Sequence, residues 1–304
     1  MSICIVVPAY NEADSLKECC QQIAKAMKKF PDYSILLVDD GSTDDTLKII
    51  KRLAADDKHI SYLSFARNFG HQAALRAGIV HSVADAIITM DADLQHPPRL
   101  LPELIKYWQE GNDIVYTRRK SGPETSVFKR LSSRWFYRVL NRLSGLTIDE
   151  GAADFRLIDA RVAQVVRDLP EPNLFLRGFM SWVGFRVYAL EYTPDARFAG
   201  TSKYSLGKML TLALHGVTQF SMKPLRLANI LGSVSVLLGL VYGCYAVWDR
   251  VVSHNAISGW TSVIVTILIM GGVQLVMLGI IGEYIGRTFV QTKQRPDYII
   301  KEKG

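Results

Sequence analysis

The stretch Ala86-Ile87-Ile88-Thr89-Met90-Asp91-Ala92-Asp93-Leu94-Gln95-His96-Pro97-Pro98 runs from apolar residues straight into two acidic ones. A short apolar run followed by turn signals predicts a buried strand of a parallel sheet. Open α/β sheets take ligands beyond the carboxyl ends of their strands. Asp91 and Asp93 are therefore expected at a ligand-binding rim. If the strand continues, its period of two sends both carboxylates the same way. Two convergent carboxylates are hard oxygen ligands for Mg²⁺ or Mn²⁺, and such an ion also takes substrate phosphates. The same spacing also reads as a solvated strand-to-helix turn, with Asp93 or Gln95 near a cap and Pro97 in a first helical turn.

Three similar units precede it. A strand at 3–7 ends at Pro8-Ala9-Tyr10-Asn11-Glu12 and feeds a helix at about 13–30. A strand at 35–38 ends at Asp39-Asp40-Gly41-Ser42, with a helix to about 55. A strand at 60–65 ends at Ala66-Arg67-Asn68-Phe69-Gly70, with a helix to about 82. This alternation predicts an α/β domain whose parallel sheet has helices on both faces. Glu12, Asp39/Asp40 and Asp91/Asp93 then share one crevice, although each also reads as a cap or turn residue. No G-x-G-x-x-G and no Walker A lysine follow the first strand, so the usual phosphate cradles are missing. A nucleotide would instead place its base and ribose on carboxylates and its diphosphate on a metal.

Downstream come a strand at 112–117, then Arg118, and a basic amphipathic helix at about 125–143. That helix reads as a solvated face or as an anionic-surface site. Asp149 to Asp154 read as a loop, and 185–192 as a strand. The segment Arg197-Phe198-Ala199-Gly200-Thr201-Ser202-Lys203-Tyr204 gathers two cations and two hydroxyls. It suits a phosphate wrap or a mobile surface loop.

From 205 the character changes. Residues 205–226 read as an amphipathic helix in the membrane interface, with a core helix as the alternative. Two apolar runs, 227–248 and 260–282, are each long enough to span a bilayer. Lys223 and Arg226 precede the first, and Arg287, Lys293, Arg295, Lys301 and Lys303 follow the second. The positive-inside rule then predicts a multi-pass hairpin with both termini and the globular domain in the cytosol. Glycines in both runs permit close helix packing. Composition agrees: of 304 residues 49% are hydrophobic and 21% charged, with net charge +7 and mean hydropathy +0.11. The basic residues cluster beside membrane segments, so acidic lipid accounts for them better than nucleic acid. Four cysteines without ligand spacing point to free thiols. Residues 1–9 carry no basic n-region, so no signal peptide is expected.

Several stretches together resemble the polyprenyl-phosphate glycosyltransferases, inverting family 2 enzymes with a GT-A fold. They are VVPAYNE (6–12), VDDGSTD (38–44), RNFGHQAALRAG (67–78), DADLQHPP (91–98), ADFRL (153–157), RFAGTSKYS (197–205) and GEYIGRT (282–288). The likeness is strongest to bactoprenol glucosyltransferases. It implies a GT-A domain at 1–204, an interfacial helix at 205–226, a transmembrane hairpin at 227–288 and a basic cytosolic tail at 289–304. It implies that Pro8, Tyr10, Glu12, Asp39, Asp40, Asp91 and Gln95 bind a UDP-sugar donor. Asp91 and Asp93 would hold Mg²⁺ or Mn²⁺. Arg118, Lys129, Ser133, Arg197, Ser202 and Lys203 would surround the polyprenyl phosphate of the acceptor, with Arg130 or Arg134 as alternatives around Lys129 and Ser133. Asp93 and Asp154 are the catalytic candidates.

The expected product is one sugar on a lipid phosphate, glucose from UDP-glucose being favoured, made at a bacterial cytoplasmic membrane by a homo-oligomer, a tetramer in relatives. N-acetylglucosamine, galactose, mannose or an aminoarabinose-type sugar are alternatives. A processive synthase would carry Q-x-x-R-W, but the only Arg-Trp here is Arg134-Trp135, with Leu at 131. A non-catalytic lipid-binding scaffold is disfavoured by the intact DAD, DDG and RFAGTSKY stretches.

Overall fold

A computed structural model describes residues 1–119, 138, 141–145, 149, 151–172, 174–193, 221–252 and 259–304. The chain divides into two compact units, Met1–Asn141 with Leu146–Leu212 and Arg295–Gly304, and Arg142–Gly145 with Ala213–Gln294.

The first unit is a sheet with flanking helices. In chain order its elements are β1 (Ile3–Ala9), α1 (Leu16–Met27), β2 (Tyr33–Asp39), α2 (Thr46–Asp56), β3 (Ile60–Phe65), α3 (His71–His81) and β4 (Ala86–Thr89). After a 3₁₀ turn at Pro98–Leu100 come α4 (Leu101–Gln109), β5 (Ile114–Arg119), β6 (Ala152–Asp159), α5 (Ala160–Asp168), α6 (Leu176–Trp182) and β7 (Val187–Tyr192). In the second unit lie α7 (Lys223–Val252) and α8 (Trp260–Thr292), and the chain ends in β8 (Ile300–Lys303), back in the first unit.

Among the described residues the sheet has eight strands in the order β7-β5-β6-β4-β1-β2-β3-β8. β1 pairs in parallel with β2 and β4, and β2 with β3. All seven residues of β1 are buried. A strand covered on both faces needs apolar side chains on both, which is why it reads as a continuous run. Helix α3 lies close against it. A Cβ on Gly78 would stand 2.0 Å from Val6 Cγ1. Gly78→Ala is therefore expected to cost about 1–3 kcal/mol of stability through overpacking, seen as a lowered Tm in a thermal melt. An unchanged Tm would mean that α3 shifts freely.

Four sequence expectations change. β4 stops at Thr89, so the strand does not carry Asp91 and Asp93 out along one face. Leu94 adopts a left-handed φ of 60°, and Gln95 N–H donates to Asp93 Oδ1 at 3.1 Å, which turns the chain back at once. Asp154 is not in a loop but inside β6, which runs antiparallel between β4 and β5. Polar residues that are paired within a buried strand break the apolar pattern from which strands are read. The tail also differs from a free extension, because β8 pairs antiparallel with β3. Finally, α7 begins at Lys223, so the last residues of the segment read as interfacial already belong to the apolar helix. Residues 205–220 and most of the basic helix at 125–143 lie outside the described residues.

In the second unit Lys223–Tyr245 and Val263–Thr292 are long and apolar enough to cross a membrane, with mean hydropathies of 1.8 and 2.5. Their apolar side chains are exposed: Leu237 is 61% and Leu268 69% accessible. Core helices of a soluble domain would bury these side chains, whereas lipid accepts them. Gly232 faces Met277, with 3.4 Å from a built Cβ to Sδ. Near the far end of α8, Glu283 pairs with Arg287 at 2.9 Å and Tyr284 Oη donates to Ser221 O at 2.6 Å.

Candidate active site

The loops after β1, β2 and β3 are laced together at the carboxyl rim. Asn11 N–H donates to Ser42 Oγ at 3.0 Å, and Thr43 N–H to Asn11 Oδ1 at 2.9 Å. Glu12 N–H donates to Thr46 Oγ1 at 2.9 Å, and the Glu12 carboxylate accepts from Ser15 Oγ. Gly41 has φ +67°, and a Cβ there would stand 2.4 Å from the Arg67 carbonyl carbon, so the turn closes only over glycine.

Both acidic residues of that turn are buried and bonded. Asp39 accepts from Ser42 N–H at 3.0 Å and Ser64 Oγ at 2.8 Å. Asp40 accepts from Phe69 N–H at 2.7 Å and Gly70 N–H at 2.9 Å. Burial raises the Asp40 pKa even against these amide bonds. Asp40 thereby anchors the segment that opens α3. Pro8 sits within β1, and Tyr10 beyond it is 40% exposed.

Helix α3 opens with His71, which reaches the centre of the site. Its Nε2 stands 3.5 Å from Asp91 Oδ1 and 3.6 Å from Asp154 Oδ2. Burial works against its charge, but the two carboxylates prevail and raise its pKa to about 9. The other oxygen of Asp91 bonds His96 Nε2 at 3.1 Å, and His96 Nδ1 lies 3.0 Å from Tyr192 Oη. Burial lifts the Tyr192 pKa to about 12, so the phenol keeps its proton. His96 thus bridges Tyr192 and Asp91 through its two ring nitrogens.

Asp154 is the most heavily partnered group. Arg177 grips it with two bonds of 2.9 Å, one to each oxygen, and Arg156 adds one of 3.1 Å. Its side chain is 7% exposed. Burial opposes its charge, yet the charge and hydrogen bonds of Arg177, with His71 and Arg156, hold its pKa well below the carboxylate range. Asp154 and Arg156 stand two apart on β6 and so share a face of the sheet, with Arg177 coming from α6. Arg156, Arg177, Tyr116 and Asp149 line a cleft of about 280 Å³.

Among the described residues no three of His, Cys, Asp and Glu gather as a ready-made metal cage. Mg²⁺-type sites in phosphate-handling enzymes need only one or two carboxylates, the substrate phosphates supplying the rest. Asp91 fits that requirement. Its Oδ1 is buried without a hydrogen-bond partner, and its pKa stays low because His96 and His71 outweigh its burial.

Arg118 is engaged by protein carboxylates, Glu191 and Asp149. Lys129, Ser133, Arg197, Ser202 and Lys203, as well as Arg130 and Arg134, lie outside the described residues. His71, His96, Arg156, Arg177 and Tyr192 also belong to the site, beyond the residues expected from the sequence. The two histidines stand inside stretches already singled out, and Arg156 shares the strand alternation of Asp154. No sequence signal marks Arg177, because only packing of α6 brings it to β6.

Known proteins match this architecture. Residues 4–166 match the family described as Glycosyl transferase family 2, and residues 223–288 match GtrB C-terminal hairpin. The chain is 40% identical over 304 residues to the bactoprenol glucosyl transferase of Shigella phage SfX, covering 100% of both chains. It is 40% identical over 302 residues to the prophage bactoprenol glucosyl transferase homolog of Escherichia coli (strain K12), covering 99% of each. The crystal structure of mannosyl-3-phosphoglycerate synthase from Rubrobacter xylanophilus aligns with a TM-score of 0.50 at 15% identity, covering 75% of each chain, a likeness of fold. With a GT-A-like sheet, a carboxylate cluster at its rim and a C-terminal pair of apolar helices, the chain belongs to glycosyltransferase family 2 and is a glycosyltransferase with a GtrB-type C-terminal hairpin.

Proposed function

We propose that this enzyme transfers one glucose from UDP-glucose to a polyprenyl phosphate at the cytosolic face of a bacterial membrane. The observation that carries this reading is the division of labour between two carboxylates at one rim, Asp154 buried and Asp91 half-buried. Asp154 is held ionised by Arg177, Arg156 and His71, while Asp91 keeps one oxygen without a hydrogen bond. The relatives named for bactoprenol and glucose supply the substrate classes.

A lipid phosphate is already an anion and attacks the anomeric carbon with little need of a general base. In-line attack inverts that carbon, giving a β-linked product from an α-linked donor. A divalent ion at Asp91, with Asp93 beside it, would neutralise charge on the leaving diphosphate. The chain's own residues do the rest. Tyr10, Glu12 and the Asp39–Asp40 turn shape the crevice for base and ribose. His71 places a positive charge between Asp91 and Asp154, where negative charge gathers on the diphosphate. Asp154, locked by two guanidiniums, orients sugar or acceptor and takes no proton, because its partners keep it a weak base. Acceptor phosphate would compete with Glu191 and Asp149 for Arg118, and the segments around 129–133 and 197–203 would complete that site. The apolar hairpin would anchor the enzyme beside its lipid, and the positive-inside rule, applied to the flanking Lys and Arg residues, supports a catalytic unit on the cytosolic side.

The test is purified full-length protein with short-chain polyprenyl phosphate and a panel of UDP- and GDP-sugars. The expected product is a single glucose per lipid, with UDP released only when lipid phosphate is present. A ladder of sugars on one lipid would show a processive synthase. A different preferred donor would overturn the choice of glucose, and no release with any donor would overturn the reading as a whole.

A further inference from the structure

The last residues of the chain return to the catalytic unit and brace it from behind. β8 extends the edge of β3. Tyr62 N–H donates to Gly304 O at 2.7 Å, and Ala66 N–H to Ile299 O at 2.9 Å. The Tyr298 ring stacks on Phe65 at 5.1 Å and meets His81 edge-on at 6.1 Å. Asp297 enters the interior of the unit, its side chain only 10% exposed, and pairs with Arg76 of α3, itself 12% exposed. The same guanidinium donates to the main-chain oxygens of Leu169 and Glu171.

Arg76 thus joins three pieces: the C-terminal segment, α3, and the connection from α5 to α6. Those elements matter because α3 begins at His71 and α6 carries Arg177. These two side chains reach Asp154 from outside its own strand. We propose that Asp297, acting through Arg76, is a positioning residue for sugar transfer. It sets α3 and the 169–171 connection so that His71 and Arg177 keep Asp91 and Asp154 in working geometry. This rests on the reading of Asp91 and Asp154 as the reaction centre. The pair is nearly dry, so loss of its carboxylate leaves a buried guanidinium charge without its counter-ion, held only by the main-chain oxygens of Leu169 and Glu171. By contrast, the Lys51–Glu302 pair on the same terminal segment is 45% and 31% exposed and joins α2 rather than α3, which makes it a control.

The experiment is a double-mutant cycle in the full-length, detergent-purified enzyme, with kcat and donor KM measured for each variant. Asp297→Asn is expected to lower kcat on the order of tenfold, the usual scale for a supporting residue behind a site, with donor KM within about twofold. Asp297→Glu is expected to recover most of the loss, and Lys51→Ala to leave kcat unchanged. In a His71→Gln background, Asp297→Asn is expected to add clearly less than the loss it causes alone, because the share of its effect that runs through His71 is already gone. If Asp297→Asn does not yield folded protein, Arg76→Lys keeps the charge, loses the fork, and is expected to show the same cycle.

Wild-type kcat in folded Asp297→Asn, or a full multiplicative loss in the double variant, would overturn the proposal. Those results with Asp91→Asn and Asp154→Asn inactive would leave the reaction centre standing. Full activity in Asp91→Asn and Asp154→Asn would instead remove the reaction centre itself.

Discussion

Asp154→Asn is expected to lower turnover by on the order of 10³-fold, equivalent to about 4 kcal/mol of transition-state stabilisation, with donor affinity changed far less. Asparagine keeps the shape but cannot serve as an anion for Arg177, Arg156 and His71, which surround the carboxylate at 2.9, 3.1 and 3.6 Å. Three positive charges would then crowd a pocket where the wild-type side chain is 7% exposed. A kcat measurement beside calorimetric donor binding separates catalysis from recognition. A thermal melt of the same sample separates both from unfolding, which matters because buried pairs that lose one partner commonly cost about 3–5 kcal/mol. Near-normal turnover in a folded variant would remove Asp154 from the chemistry.

Asp91→Asn, or chelation of the wild-type enzyme, is expected to abolish transfer to within detection, a fall of at least about 10²-fold for a lost electrostatic stabiliser of the leaving group. Asp91 Oδ1 stands buried without a hydrogen bond, while Oδ2 is committed to His96 at 3.1 Å. A neutral amide at this position would offer a cation a weaker ligand and would leave His71 with one carboxylate in place of two. Adding Mg²⁺ or Mn²⁺ back to the chelated wild type is expected to restore the rate; the variant is expected to need far more metal or to stay inactive. Sugar transfer at full speed in excess chelator would defeat the metal reading and leave His71 and the arginines as the stabilisers of the diphosphate.

The half of the domain before β5 was readable because its signals are local. Strands 3–7, 35–38 and 60–65 are short apolar runs closed by turn residues, and they fall within β1, β2 and β3. The acidic residues that end these runs do lie at the carboxyl rim. What they touch there was not readable. Asp40 anchors Phe69 and Gly70 across 29 and 30 residues of chain, and His96 meets Tyr192 across 96. Asp154 read as a loop residue because nothing in its vicinity shows that an arginine 23 positions later will pair with it. The final strand is illegible in the sequence for a related reason: four residues reading Ile-Lys-Glu-Lys carry no apolar pattern and become a strand only by pairing with the open edge of β3.

Periodicity, turn chemistry and hydropathy act over a few residues, so the chain alone announces the parallel α/β half, the acidic rim and two helices fit for a bilayer. Burial of charge is different. Whether a carboxylate is a cap, a metal ligand or an ionised partner of two guanidiniums depends on which distant groups displace its water. That choice is made when β6 enters the sheet antiparallel, when α6 brings Arg177 to it, and when Asp297 closes on Arg76 behind α3.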